Sequence, residues 1–187
     1  MVRNSEHMFE RVNLSPLAIM VLIYLSRSPD KQFYVREIAS MTKGSVGGCH
    51  KVLKNLYEMG LVVKQKSGRN LYYKIEYRNP AVRYFKIFMN IQGVNGIIRD
   101  ITNKCNKIIL FGSCSIGEDT LESDIDLLIV TENVGEMRQN LKQQYIDGRK
   151  LKPIILLPHE FLKLKNRDRA FYDEVNKGIV LWRDINE

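Results

Sequence analysis

Leu110-Phe111-Gly112-Ser113, ten further residues, and then Asp124-Ile125-Asp126-Leu127-Leu128-Ile129-Val130 form the stretch that organises this chain of 187 residues. Lys107–Phe111 reads as a buried strand ending in Gly112-Ser113, and Ile125–Val130 as a second one. Gly112 lets the backbone turn tightly after a strand and come close to a phosphate. Ser113 offers a hydroxyl and a backbone N–H at a helix start, where anions bind. Asp124 and Asp126 stand two apart on a strand, so both carboxylates face one side while Ile125 faces the apolar other. Adjacent carboxylates repel unless a cation lies between them. Mg²⁺ held by one or two carboxylates and by substrate phosphates is the chemistry that suits them.

Outward from this stretch, strands alternate with helices. Gly135–Tyr145 reads as a polar helix, Pro153–Leu157 as a strand, Pro158–Lys165 and Ala170–Asn176 as helices, and Ile179–Trp182 as a closing strand. That order predicts an α/β domain with a small mixed sheet. Cys114 reads as a small buried residue rather than a nucleophile, His159 as a helix-start residue and Trp182 as core.

Gly112-Ser113, the ten-residue spacing, Ser123 and Asp124-x-Asp126 together resemble the minimal nucleotidyltransferases of the DNA polymerase beta superfamily, over about residues 91–187. The resemblance implies transfer of a nucleotidyl group from an NTP, with Gly112, Ser113 and Ser123 holding the nucleotide. Asp124 and Asp126 would be the catalytic carboxylates and ligate Mg²⁺ or Mn²⁺. Two positions depart from the family pattern. Ile116 stands where an Arg is common, and the strand at 152–157 lacks the third carboxylate that activates the acceptor hydroxyl. Asp147 precedes that strand and Glu160 follows it. Whether the chain is an enzyme turns on that missing acid.

The first half differs in charge. Residues 1–104 carry 17 Lys/Arg against 7 Asp/Glu, a net +10, and the remainder carries 12 against 14. Two modules with different partners fit this asymmetry. Ser15-Pro16 starts a helix, Val35–Met41 is a second, and Ser45 caps a third that closes at Gly60. Leu61–Lys66 and Leu71–Tyr77 form a hairpin around the turn at 67–70. Three helices followed by a basic hairpin resemble the winged helix-turn-helix regulators, over about residues 10–78. The resemblance implies binding to double-stranded DNA. Ser45, His50, Lys51 and Lys54 would sit on the helix that enters the major groove, and Lys64, Lys66 and Arg69 on the wing that meets phosphates.

The expected layout is therefore a winged-helix DNA-binding domain at 1–90 and a nucleotidyltransferase-like domain at 91–187. Asn79-Pro80 starts an apolar helix over about 81–89, which Gly93 and Gly96 interrupt. Its apolar excess needs a cover, either the second domain or a second copy of the chain as a homodimer. No apolar run reaches bilayer length, no cleavage pattern opens the chain, and Cys49, Cys105 and Cys114 lie far apart. A cytoplasmic protein without a membrane partner, zinc ribbon or disulfide framework is expected. Three functions remain open: a DNA-bound nucleotidyltransferase, a transcriptional regulator whose degenerate transferase domain senses a nucleotide or is structural, and an antitoxin-like enzyme acting on a small helical protein.

Overall fold

The computed structural model describes residue 12 and residues 14–184. The reading of the chain's opening for a cleavage pattern, and the outer ends of the two expected domains, lie outside the described residues. The chain divides into two compact units, the first ending at Val82 and the second starting at Arg83. The sequence placed that division at 90/91.

In the first unit, α1 (Pro16–Ser26), β1 (Phe33–Tyr34), α2 (Val35–Met41), α3 (Val46–Glu58), β2 (Val62–Ser67) and β3 (Asn70–Ile75) follow in order. The starts of α1 and α3 are fixed by serine caps. Ser15 Oγ accepts from Ala18 N at 3.2 Å and Ser45 Oγ from Gly48 N at 3.0 Å. Glu37 reaches back to the Tyr34 N–H at 2.6 Å and so starts α2. Leu22, Leu25, Ile38, Leu53, Leu56 and Ile75 are fully buried and form the core. The hairpin gains a third strand, because β1 pairs antiparallel with β3 at Phe33–Tyr73 and Tyr34–Tyr72. The sheet order is β1-β3-β2.

The helix α4 (Pro80–Ile101) runs unbroken through both glycines that were expected to interrupt it. Gly93 lies at a close approach, where a Cβ would stand 3.3 Å from Ile146 Cγ2. In the second unit come β4 (Lys107–Phe111), α5 (Ser113–Ile116), β5 (Ile125–Val130), α6 (Val134–Asn140), β6 (Tyr145–Ile146), β7 (Arg149–Leu156), α7 (Pro158–Arg167), α8 (Arg169–Asn176) and β8 (Ile179–Arg183). The five-stranded order is β6-β7-β5-β4-β8, with β5 and β7 parallel and the other pairs antiparallel. The sheet is mixed, as the sequence implied.

Alternation along the strands gives the sheet two apolar faces. Ile108, Leu110, Ile125, Leu127 and Ile129 pack with Val94, Ile98 and Ile101 of α4 and Met137 of α6. Ile109, Phe111, Leu128 and Val130 pack with Val175, Phe161 and Phe171 of α7 and α8. Three sequence readings change. The polar helix ends at Asn140 rather than Tyr145, β7 begins at Arg149 rather than Pro153, and the two-residue β6 fills the space between them. Pro153 is tolerated inside β7 because β6 pairs only with Arg149 and Lys150, leaving that edge open beyond them. No described helix is long and apolar enough to cross a membrane.

Candidate functional site

Gly112 follows β4 with φ at 65° and ψ at −158°, a conformation that side chains other than hydrogen rarely adopt. Space forbids a side chain as well: a Cβ at 112 would stand 2.7 Å from Asp126 Oδ2. The turn that begins at Gly112 is therefore pressed against the carboxylate opposite it. Ser113 opens α5, and its carbonyl accepts from the N–H groups of Gly117 and Glu118. Ser115 Oγ donates back to Gly112 O at 2.8 Å, which ties the turn closed. Ser123 is engaged locally. Its Oγ accepts from Thr120 N at 2.9 Å, so this residue shapes the loop before Asp124.

Asp126 lies in β5, on the face that carries Leu128 and Val130, and Ile125 is buried on the other face. Asp124 sits one residue before the strand rather than in it. Burial is the main cause raising the Asp126 pKa. The Asp124 and Glu174 charges add to the rise, and the Lys152 ammonium opposes it.

The sequence missed the role of Lys152. In the parallel pairing of β5 with β7, Lys152 is the register partner of Asp126, so it projects from the same face. Its ammonium forms an ion pair with Asp124 Oδ2. That hydrogen bond raises the lysine's pKa. The resemblance implies a third acid on this strand, and a cation occupies its side of the site. The signal was present as Lys152, the first residue of the strand at 152–157, but only the parallel register shows which face it shares.

The other candidate acids are placed elsewhere. Glu160 Oε2 accepts from Leu157 N at 2.9 Å and caps α7. Asp147 occupies the β6–β7 turn with φ at 51°. Among the described residues, no three His, Cys, Asp or Glu side chains form a group able to hold a metal ion. Two carboxylates suffice for one Mg²⁺ that is shared with substrate phosphates. They do not suffice for a two-metal site, and the donor that would be added is a lysine already bound to Asp124.

A buried polar network fixes the turn from behind. Arg149 Nη1 donates to Asp119 Oδ2 at 2.9 Å and Nη2 to Asn90 Oδ1 at 2.9 Å. Asn90 Nδ2 donates to Cys114 O at 3.0 Å and to Asp119 Oδ1 at 2.9 Å, and Lys86 Nζ donates to Asp119 O. Cys114 Sγ in turn donates to Asp124 O at 3.4 Å. The network thus ties α4 and the start of β7 to the backbone of both the Gly112 turn and Asp124. Burial pushes the Cys114 thiol up to about 11, so it is inert as a nucleophile at neutral pH.

Beside β7 lies an open cleft of about 450 Å³. Asp126 lines it together with Arg138, Lys142, Lys150 and Lys152, over an apolar floor that includes Leu151 and Ile155.

In the first unit, Ser45, His50, Lys51, Lys54, Lys64, Lys66 and Arg69 are all exposed. Ser45 is also the cap of α3. Lys54 lies 3.9 Å from Glu58, and Lys64 Nζ stands 4.0 Å over the Tyr57 ring. Residues 14–82 hold eleven Lys/Arg against four Asp/Glu.

Residues 97–186 match the family model described as Polymerase beta, Nucleotidyltransferase, so the chain carries a nucleotidyltransferase-family domain there. A search of the curated proteins finds no match. A solved structure, a possible transcriptional regulator from Methanosarcina mazei Go1, is similar at 16% identity over 50% of this chain and 81% of that chain. Its TM-score is 0.34.

Proposed function

We propose that this protein is a DNA-binding regulator whose nucleotidyltransferase-family domain holds a nucleotide through its phosphates and does not transfer it. The observation that carries the reading is Lys152, which faces Asp126 across the β5–β7 register and is bonded to Asp124 where a third acid would have to stand. Without that acid nothing on β7 takes the proton of an attacking hydroxyl. Support for a DNA partner comes from three helices and a three-stranded sheet in winged-helix order, with cations along α3 and the β2–β3 hairpin. Winged-helix placement would set His50, Lys51 and Lys54 toward base edges, and Lys64, Lys66 and Arg69 toward phosphates.

A second reading, an active nucleotidyltransferase, is favoured by one observation: Glu174 of α8 is near enough to raise the pKa of Asp126. One assay decides between them. The full chain is titrated with ATP and CTP in a calorimeter with Mg²⁺, and the same mixtures are followed for pyrophosphate release and for mass added to protein or DNA. Binding without pyrophosphate release is expected. Pyrophosphate release establishes the transferase instead, and absence of binding removes both readings.

A further inference from the structure

The cleft beside β7 has a lining that two-metal catalysis does not call for. Four cations, Arg138, Lys142, Lys150 and Lys152, share it with the single carboxylate Asp126. Asp124, next to it, already has its charge answered by Lys152. Even with Asp124 included, cations outnumber carboxylates by four to two. A paired-carboxylate site repels phosphates until a metal neutralises it. Here a neutralising cation is part of the chain.

We propose that this cleft is a metal-independent polyphosphate site, in which Lys152 takes the place of the divalent cation and Arg138, Lys142 and Lys150 continue the positive lining along the chain of phosphates. The inference rests on the reading that the domain holds a nucleotide without transferring it, and it specifies how. Lys152 is 54% exposed and Asp124 31%, so the ammonium reaches a ligand without leaving the carboxylate. The Lys142, Lys150 and Arg138 side chains come from α6, the turn after it and the start of β7, so they border one opening from two elements. Ammonium and guanidinium groups need no particular coordination geometry around a phosphate, whereas Mg²⁺ demands near-octahedral donors, of which this site offers two carboxylates, one of them already paired with Lys152.

The test is calorimetric titration of the full chain with inorganic tripolyphosphate and with ATP, each in EDTA and in Mg²⁺. Both ligands are expected to bind in EDTA, with Mg²⁺ tightening neither by more than about threefold. Lys152→Ala is expected to weaken metal-free binding about tenfold or more, and so is Lys142→Ala with Lys150→Ala, whose side chains are exposed and leave the core untouched. Lys152→Asp is expected to abolish binding in EDTA and make it depend on Mg²⁺. Tighter binding of ATP than of tripolyphosphate names a nucleotide as the source of the phosphates, and equal binding names free polyphosphate. Binding of ATP only with Mg²⁺, or unchanged affinity in Lys152→Ala, overturns the site while leaving nucleotide holding intact. No binding of either ligand in any condition overturns both.

Discussion

Gly112 and Asp126 are in contact across the β4–β5 pair, with 2.7 Å separating the place of a Cβ at 112 from Asp126 Oδ2. Gly112→Ala must move either the carboxylate or the turn, and it also forces φ of 65° on a residue with a side chain. The variant is expected to lose about 1–3 kcal/mol of stability from backbone strain alone and to lose nucleotide binding. Gly135 provides the control: it lies in α6, and a Cβ there meets nothing within 4 Å. Gly135→Ala is expected to gain about 0.5–1 kcal/mol without changing binding. Urea denaturation of both variants beside nucleotide titration checks this, and a Gly112→Ala protein that binds normally contradicts the site geometry.

Arg149 and Asp119 form a pair whose side chains are 1% and 2% exposed. Removing one partner of a buried pair leaves an uncompensated charge at a cost of about 3–5 kcal/mol. Asp119→Asn is expected to lower stability by that order and Arg149→Met by less, because Lys86 Nζ stands 3.8 Å from Asp119 Oδ1 and still answers that charge. The double variant is expected to lose less than the two together, because neither charge is stranded in it. The same single variants are expected to weaken nucleotide binding through Cys114 O and Asp124 O, which the network positions. Full additivity in a double-mutant cycle shows that the two side chains do not act as a pair.

The fold was legible wherever local chemistry repeats. Ser15-Pro16 and Ser45 announced helix starts, and alternation separated the two faces of Lys107–Phe111 and Ile125–Val130. The β6–β7 hairpin was missed although Asp147-Gly148 signals it: both residues take positive φ, 51° and 77°, as a two-residue hairpin turn requires. The flanking strand β6 is only two residues long, too short for alternation to register. Gly93 misled in the opposite sense, since it serves close packing inside a continuous helix. At the site, Gly112 and the two aspartates were readable from spacing. Lys152 was not, because its role depends on the register between two strands separated by eighteen residues, from Val130 to Arg149.

Burial raises both Cys105 and Cys114 to about 11. An unfolded cysteine ionises near 8.5. Between those values the folded chain holds protons that the unfolded chain has released, so stability falls as pH rises from about 8.5 to 11. Cys114→Ala is expected to flatten that alkaline decline, while Cys49→Ala serves as the core-truncation control. Both thiols are expected to resist alkylation at pH 7 in the folded chain and to react once urea unfolds it. Thermal melts from pH 7 to 11 read the slope, and a wild-type slope in Cys114→Ala removes this thiol as a contributor.

The β2–β3 hairpin carries the most accessible test of the DNA reading. Lys66 and Arg69 are exposed at its tip, whereas Lys64 packs over the Tyr57 ring at 4.0 Å. Lys64→Ala therefore changes packing along with charge, and Lys66→Ala with Arg69→Ala is the cleaner variant. Each phosphate contact contributes about 0.9 to the slope of log affinity against log salt concentration. The double variant is expected to lower that slope by about 1.8 and to weaken binding to all duplexes alike. Lys51→Ala on α3 is expected to act differently, lowering discrimination among sequences if its helix lies in the major groove. Fluorescence anisotropy of labelled duplexes over a salt series separates these effects. An unchanged slope in the Lys66 and Arg69 variant takes the hairpin out of the interface, and binding that depends on Lys51 alone then assigns contact to α3.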